Sequence, residues 1–377
     1  MSVLARIFDR ENRRVILLVA AVKMLIIGIA LLHPIIPFGD GLQQGNLMYR
    51  IMPESFLHYF EAFDGQWYIQ IAEEGYQNKP VLFSECNYNF FPLYPMLIRA
   101  VAIASQSTSL AALIISYVCS FVMALLFYRL LRMDHDEQTS WRALLYMLIF
   151  PGAFFFSAAY TEALYMMCLM GAFYLGRKNL WIPASLCGFL AAFTRKPGVF
   201  IIIPLLVLYL MDKKSRNEKI RPDIAALILI PLAPVFFAFY ISTITGDFMS
   251  IFKTTSTWGA KLSIPIISYF HDWNRCTILA YHGGLIDRIS TIIFAAMLIP
   301  MWKRTRKDYW IHAFLVIFVP LTVGTTGSMV RYLTASFPHF LYLSETTADE
   351  GKSAAVTAVF SVLLGIYTLL SVNWYWV

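Results

Sequence analysis

The sequence predicts an all-α polytopic membrane protein, on three observations. Hydrophobic residues make up 59% of the 377 and charged residues only 14%, against roughly 25% charged in a soluble domain. Mean hydropathy is +0.62. Apolar runs long enough to span a bilayer recur along the whole chain, separated by short charged breaks.

The first apolar run covers about residues 15–36 and follows Arg6, Arg10, Arg13 and Arg14. No small-residue cleavage site stands out, so it reads as a retained helix and not a removed signal. Lys23 lies inside it. An ionisable residue in a span is a functional candidate by default, but a lysine can also snorkel its amine to the membrane edge; snorkelling is the expectation. A long polar loop follows, at about 37–108. Its last part, after Pro95, is apolar but short and interrupted by Arg99, which predicts an interfacial helix. Further spans are expected near 109–131, 142–158, 160–176, 180–194, 197–211, 223–244, 286–302, 309–324, 329–344 and 354–373, about eleven in all. Both ends lie close to a span, so a single integral-membrane domain over 1–377 is expected.

Lysine and arginine set the orientation. With the N-terminus cytoplasmic, the inner segments carry 19 of these residues and the outer segments 10, although the outer loops are longer. The loops at 37–108 and about 245–285 then share the outer side with the turns Ser157–Glu162, Thr194–Gly198 and Gly324–Arg331.

Several function classes drop out. The net charge of +7 sits in short loops, an orientation pattern and not a nucleic-acid one. The five cysteines have no metal-ligand spacing, so no metal is expected. A Cys86–Cys276 disulfide between the two outer loops stays open, while Cys119, Cys168 and Cys187 read as packing residues. There is no Walker A, GxSxG or HExxH motif, and no ATP-binding unit or other cofactor is expected. Energy must come from an activated substrate or a gradient.

The most informative stretch runs from Phe63 to Tyr76. A helix starting at Asp64-Gly65 puts Asp64, Tyr68, Ile71 and Gly75 on one face. Asp64 reads either as an N-cap or as a base beside aromatic rings at a membrane surface. The outer side also holds Asp40, Glu54, Glu162, Arg195, Lys196, Asp272, Arg275, His282 and Arg331. One carboxylate with one or two cations suits holding a lipid phosphate while deprotonating a hydroxyl, and arginine's fork fits phosphate. Taken singly, Arg195, Lys196 and Arg331 read as headgroup anchors; taken together with Asp64 on one face, they point to function.

Asp64-Gly65-Gln66-Trp67-Tyr68-Ile69-Gln70-Ile71-Ala72-Glu73-Glu74-Gly75-Tyr76 resembles the WD-x-x-WY-x-x-IA-x-x-GY pattern of the PIG-V-type mannosyltransferases, a branch of the GT-C glycosyltransferases. Phe91-Pro92-Leu93-Tyr94-Pro95 follows at the expected place. Phe155-Phe156-Ser157-Ala158-Ala159-Tyr160-Thr161-Glu162-Ala163-Leu164 is similar to the family's FFSA-x-YTE-x-L turn. Arg195 and Gly198 match the ends of its R-x-N-G turn, and Arg331-Tyr332 with Phe337-Pro338 resembles its late RY…FP segment. Phe63 stands where the family usually has Trp, and Lys196-Pro197 replace a small residue and Asn, which changes the chemistry of that turn.

The resemblance implies a GT-C fold, an active site on the outer or lumenal face, and an inverting transfer from a polyprenyl-phosphate sugar, commonly mannose. It implies Asp64 as the catalytic base and Arg195 or Arg331 as holders of the leaving phosphate. Trp67, Tyr68, Glu162 and Tyr332 are then candidate substrate-site residues, the first two either stacking on sugar or packing the loop, and Glu162 either touching the acceptor or supporting the residues that do. The partners implied are membrane lipids, the donor and a lipid-linked or cell-envelope acceptor. A lipid or glycolipid transporter is the rival reading, but it predicts inverted repeats and polar breaks near the midplane, whereas here the polar residues gather at one face. A non-catalytic partner subunit is the third.

Overall fold

The computed structural model describes residues 9–32, 35, 55–79, 86–257, 262–271 and 284–375. Among them the protein is all helical. The α-helices are α1 (Arg10–Ala30), α2 (Asp64–Glu74), α3 (Leu93–Ser105), α4 (Thr108–Leu131), α5 (Glu137–Ile149), α6 (Glu162–Arg177), α7 (Trp181–Thr194) and α8 (Ile202–Ser215). They continue with α9 (Leu229–Thr245), α10 (Ser250–Thr257), α11 (Pro265–Phe270), α12 (Leu285–Arg304), α13 (Lys307–Leu321), α14 (Met329–Leu333), α15 (Phe337–Thr346) and α16 (Glu350–Val372).

Several helices start where a side chain can take an orphan N–H. Asp9, Ser107, Asp136 and Asp349 each accept from a backbone N–H three residues on, at the starts of α1, α4, α5 and α16. The expected eleven spans are not confirmed as such. Four helical stretches are long and apolar enough to cross a bilayer by themselves: 108–131, 222–245, 285–304 and 350–372. Other expected spans are shorter or broken, and proline accounts for two breaks. Pro151 forces Phe150 into an extended conformation (ψ 145°), so the run 142–158 divides into α5 and a 3₁₀ turn, Pro151–Phe156. Pro338 lacks the N–H that would continue a helix from α14, and the run 329–344 divides into α14 and α15.

Ion pairs mark one end of the bundle. Arg14 binds Glu137 at 2.7 Å, Arg177 binds Asp134 at 2.5 Å, and Arg132 lies 3.6 Å from Glu11. These tie the start of α1 to the breaks after α4 and α6. The sequence motifs lie at the opposite end, where the Trp374 ring, just past α16, lies 6.2 Å from that of Phe63.

Lys23 does not snorkel. It is 5% exposed, and its amine donates to Ser120 Oγ at 3.0 Å, Ser157 Oγ at 2.9 Å and the Phe156 carbonyl. That carbonyl ends the 3₁₀ turn inside the bundle, where an unmet acceptor is costly. The lysine therefore joins α1 to α4 and to the turn that precedes α6. Cys119 and Cys168 are buried as expected. Cys276, and with it the disulfide left open above, lies outside the described residues.

Candidate active site

The Phe63–Tyr76 stretch forms a helix as expected, but Asp64 is its first helical residue and not its N-cap. Phe63 holds the cap position with φ +54° and makes no side-chain cap bond. A positive φ is costly for a bulky residue, so the surroundings must hold it. Ala159 N–H donates to Phe60 O at 2.8 Å and the Tyr160 hydroxyl to Ala62 O at 2.6 Å. A Cβ on Gly65 would lie 3.3 Å from Ala159 O, so glycine lets the helix start sit against that turn. Two separate sequence motifs thus dock on each other through backbone.

Trp67 and Tyr68 face inward. Trp67 is fully buried and stacks on Phe90 at 5.3 Å. Of the two roles expected for it, this leaves packing of the loop and removes direct contact with a sugar, because no face of the ring is open. Tyr68 is 4% exposed, packs edge-on against Phe90 and Tyr94, and places its hydroxyl 3.4 Å from Thr161 Oγ1. Burial, reinforced by the Asp64 carboxylate, pushes its phenol above the usual range, so it stays neutral.

Four charged side chains from distant parts of the sequence form one chain. Asp64 Oδ2 binds Arg331 Nη1, Arg331 Nε binds Glu162 Oε1, and the same Oε1 binds Arg195 Nη1 at 2.5 Å. Glu162 is 1% exposed, the Arg331 side chain 8%, Arg195 11% and Asp64 20%. The chain is therefore buried at Glu162 and opens toward Asp64. Two cations and two anions balance, which is what a site withdrawn from water requires. Glu162 is shut off from direct contact with an acceptor, which leaves the supporting role of its two expected ones: its carboxylate holds the two guanidiniums side by side. Rings sandwich them: Arg331 lies 4.6 Å from the Tyr160 centroid and Arg195 5.3 Å from that of Tyr332. Phe63, Tyr160, Ser328 and Arg331 line a cleft beside Phe60 and Ala62.

The turn after α7 explains its glycine. A Cβ on Gly198 would lie 2.4 Å from Ala191 O, so only glycine lets the chain fold back against α7 behind Arg195. Lys196, where the family pattern has a small residue, donates to Asn89 Oδ1. Burial lowers its amine to about 8.

Asp287 was missed by the sequence reading. It is 5% exposed, and its Oδ1 accepts the Val330 N–H at 2.9 Å, one residue before Arg331. The available signal was a carboxylate at the edge of an apolar run. Asp40, Glu54, Asp272, Arg275 and His282 lie outside the described residues. No group of three or more potential metal ligands occurs among the described residues.

Comparison with known proteins agrees with these motifs. The family described as Mannosyltransferase (PIG-V) matches residues 44–210. GPI mannosyltransferase 2 of Drosophila pseudoobscura pseudoobscura is 32% identical over 114 residues. That match covers 27% of this chain and about a quarter (24%) of the relative's length. Among solved structures, ArnT from Cupriavidus metallidurans bound to undecaprenyl phosphate aligns over 95% of this chain and 74% of its own, with a TM-score of 0.53 at 12% identity. At that identity the likeness shows the fold, which is of the GT-C type.

Proposed function

We propose that the protein, whose residues 44–210 match the family described as Mannosyltransferase (PIG-V), is a membrane glycosyltransferase moving mannose from a polyprenyl-phosphate donor to a lipid-linked or cell-envelope acceptor. The observation that carries this reading is the buried chain Asp64–Arg331–Glu162–Arg195, which reaches the cleft at Arg331 and is most exposed at Asp64. It puts one carboxylate next to paired guanidiniums that come from separate motifs. The undecaprenyl phosphate bound to the fold neighbour supports a donor of this chemical class.

Asp64 is the base in this reading. It takes the proton as an acceptor hydroxyl attacks C1 of the sugar; the C1–O bond to phosphate breaks, C1 inverts, and polyprenyl phosphate leaves. The leaving group is weakly basic and needs no strong acid. Arg331 Nη2, together with Nε and Nη2 of Arg195, has no hydrogen-bond partner among the described residues and supplies the phosphate contacts. Tyr332 backs Arg195, and Tyr68 fixes the helix behind Asp64. No metal is assigned, because a guanidinium already binds both carboxylates. By the distribution of Lys and Arg the site lies on the outer or lumenal face, with the N-terminus cytoplasmic.

A transfer assay tests this. Purified protein receives radiolabelled polyprenyl-phosphate mannose and a total lipid extract, with Asp64→Asn as control. Label appearing in a new lipid or polymer with the unsubstituted protein only is the expected result. Equal transfer by Asp64→Asn would remove the base assignment, and transport of the labelled lipid without transfer would favour a transporter.

A further inference from the structure

The geometry points to Asp287 as a positioning residue for Arg331, acting through the backbone of the segment that carries it. This rests on the reading of Arg331 as a donor-phosphate contact.

Arg331 sits in α14, only five residues long. So short a helix has almost no stability of its own, and the local support at its start is a long bond from the Met329 N–H to Thr326 O, at 3.3 Å. Ser328, just before it, is left-handed (φ +60°) and gives no side-chain cap. The missing acceptor comes from another helix. Asp287, in the first turn of α12, takes the Val330 N–H at 2.9 Å, and the N–H groups of Ser328 and Met329 face the same carboxylate. A carboxylate 5% exposed at the edge of a candidate span needs such partners to be tolerated.

The first turn of α12 is itself anchored. Arg288, 1% exposed, donates Nη2 to His271 O at 2.7 Å and Nη1 to Tyr269 O, fixing α12 to the end of α11. Adjacent residues thus face two ways: Arg288 grips the second polar loop and Asp287 grips the Arg331 segment. On the far side of α14, a Cβ on Gly152 would lie 2.8 Å from Val330 O, so the segment is held tightly between α12 and the 3₁₀ turn 151–156. Asp287 touches none of the four charged side chains of the site. Its effect is to set where the Arg331 guanidinium stands between Asp64 and Glu162.

The test uses the full chain in detergent with Asp287→Leu, which removes the acceptor and keeps the branched shape, and Asp287→Asn, which keeps an oxygen for the Val330 N–H. Two readouts are taken. One is phenylglyoxal modification of Arg331, read by peptide mass spectrometry; the other is binding of undecaprenyl phosphate. In Asp287→Leu, Arg331 modification should rise and undecaprenyl phosphate binding should weaken, each by roughly tenfold, as losing a hydrogen bond to a charged group implies. Asp287→Asn should match the unsubstituted protein in both. Asp287→Ser, whose side chain is too short to reach Val330, is the second variant should the leucine variant fail to fold, with the same expectation. Unchanged Arg331 modification in a folded variant lacking the acceptor would overturn the inference. Increased modification in a protein that never bound undecaprenyl phosphate would instead uphold the placement and remove the donor reading.

Discussion

Glu162→Gln is the most revealing single perturbation. In the native site one carboxylate oxygen serves two guanidiniums, and the residue is 1% exposed. Glutamine keeps the shape and an acceptor but removes the charge. Arg331 retains Asp64. Arg195 retains a neutral acceptor and the rings of Tyr332 and Tyr165, at 5.3 and 5.9 Å, but no anion, while its side chain is 11% exposed. One buried cation is left without an anion. Breaking a buried pair from one side costs about 3–5 kcal/mol, and the residual access of Arg195 to water places the expected loss near about 3 kcal/mol. Removing the stranded cation as well should recover part of it, so Glu162→Gln/Arg195→Gln should be less destabilised than the sum of the single variants by about 1–3 kcal/mol. The assay is equilibrium unfolding in mixed micelles, followed by tryptophan fluorescence, on the four proteins of the cycle. A Glu162→Gln cost under about 1 kcal/mol, or strict additivity in the cycle, would refute the view that this carboxylate holds the cationic site together.

The remaining predictions follow from the same geometry. Asp64→Asn should lower transfer by roughly 100- to 10,000-fold, the usual range for a general base, with membrane insertion measured by fractionation unchanged. Arg331→Ala should weaken donor binding and also destabilise the fold, because Asp64 and the buried Glu162 both lose a partner; stability equal to the unsubstituted protein would contradict the pairing. Gly198→Ala should be strongly destabilising, since the new Cβ lies 2.4 Å from backbone, and should yield little folded protein in a detergent-solubility assay. Lys196 loses its proton near pH 8 and not near its ordinary 10.5. Folding therefore opposes its charge in full below about pH 8, and that cost fades as pH rises from there toward the unfolded value. Lys196→Met should stabilise the protein at pH 7 and progressively less above pH 8, measured by thermal unfolding across pH.

The positions of the helices and the motifs were legible in the sequence because each rests on a local rule. Apolar length predicts spans, and Asp, Ser and Pro at fixed offsets start or break helices, as Asp136 and Pro151 do. Lys23 shows where local rules fail. Snorkelling is a property of a lone helix, and only the packing of α4 and the 151–157 turn against α1 supplied the acceptors that keep its amine inside. The count of eleven spans is not confirmed for a related reason: hydropathy registers apolar length but not the breaks at Pro151 and Pro338.

Within the site, the sequence by itself determined which residue types meet: a carboxylate in the first polar loop and a carboxylate and two arginines in later turns, with glycines at 65 and 198 where the chain must come close. Only the tertiary structure decided their roles. It made Glu162 a buried bridge, turned Trp67 inward onto Phe90, and brought Asp287 to the backbone beside Arg331. The physical reason is sequence distance. Asp64 and Arg331 are 267 residues apart and Asp287 and Val330 are 43 apart, so pairs at that separation leave no periodicity or spacing to read and form only when the bundle closes.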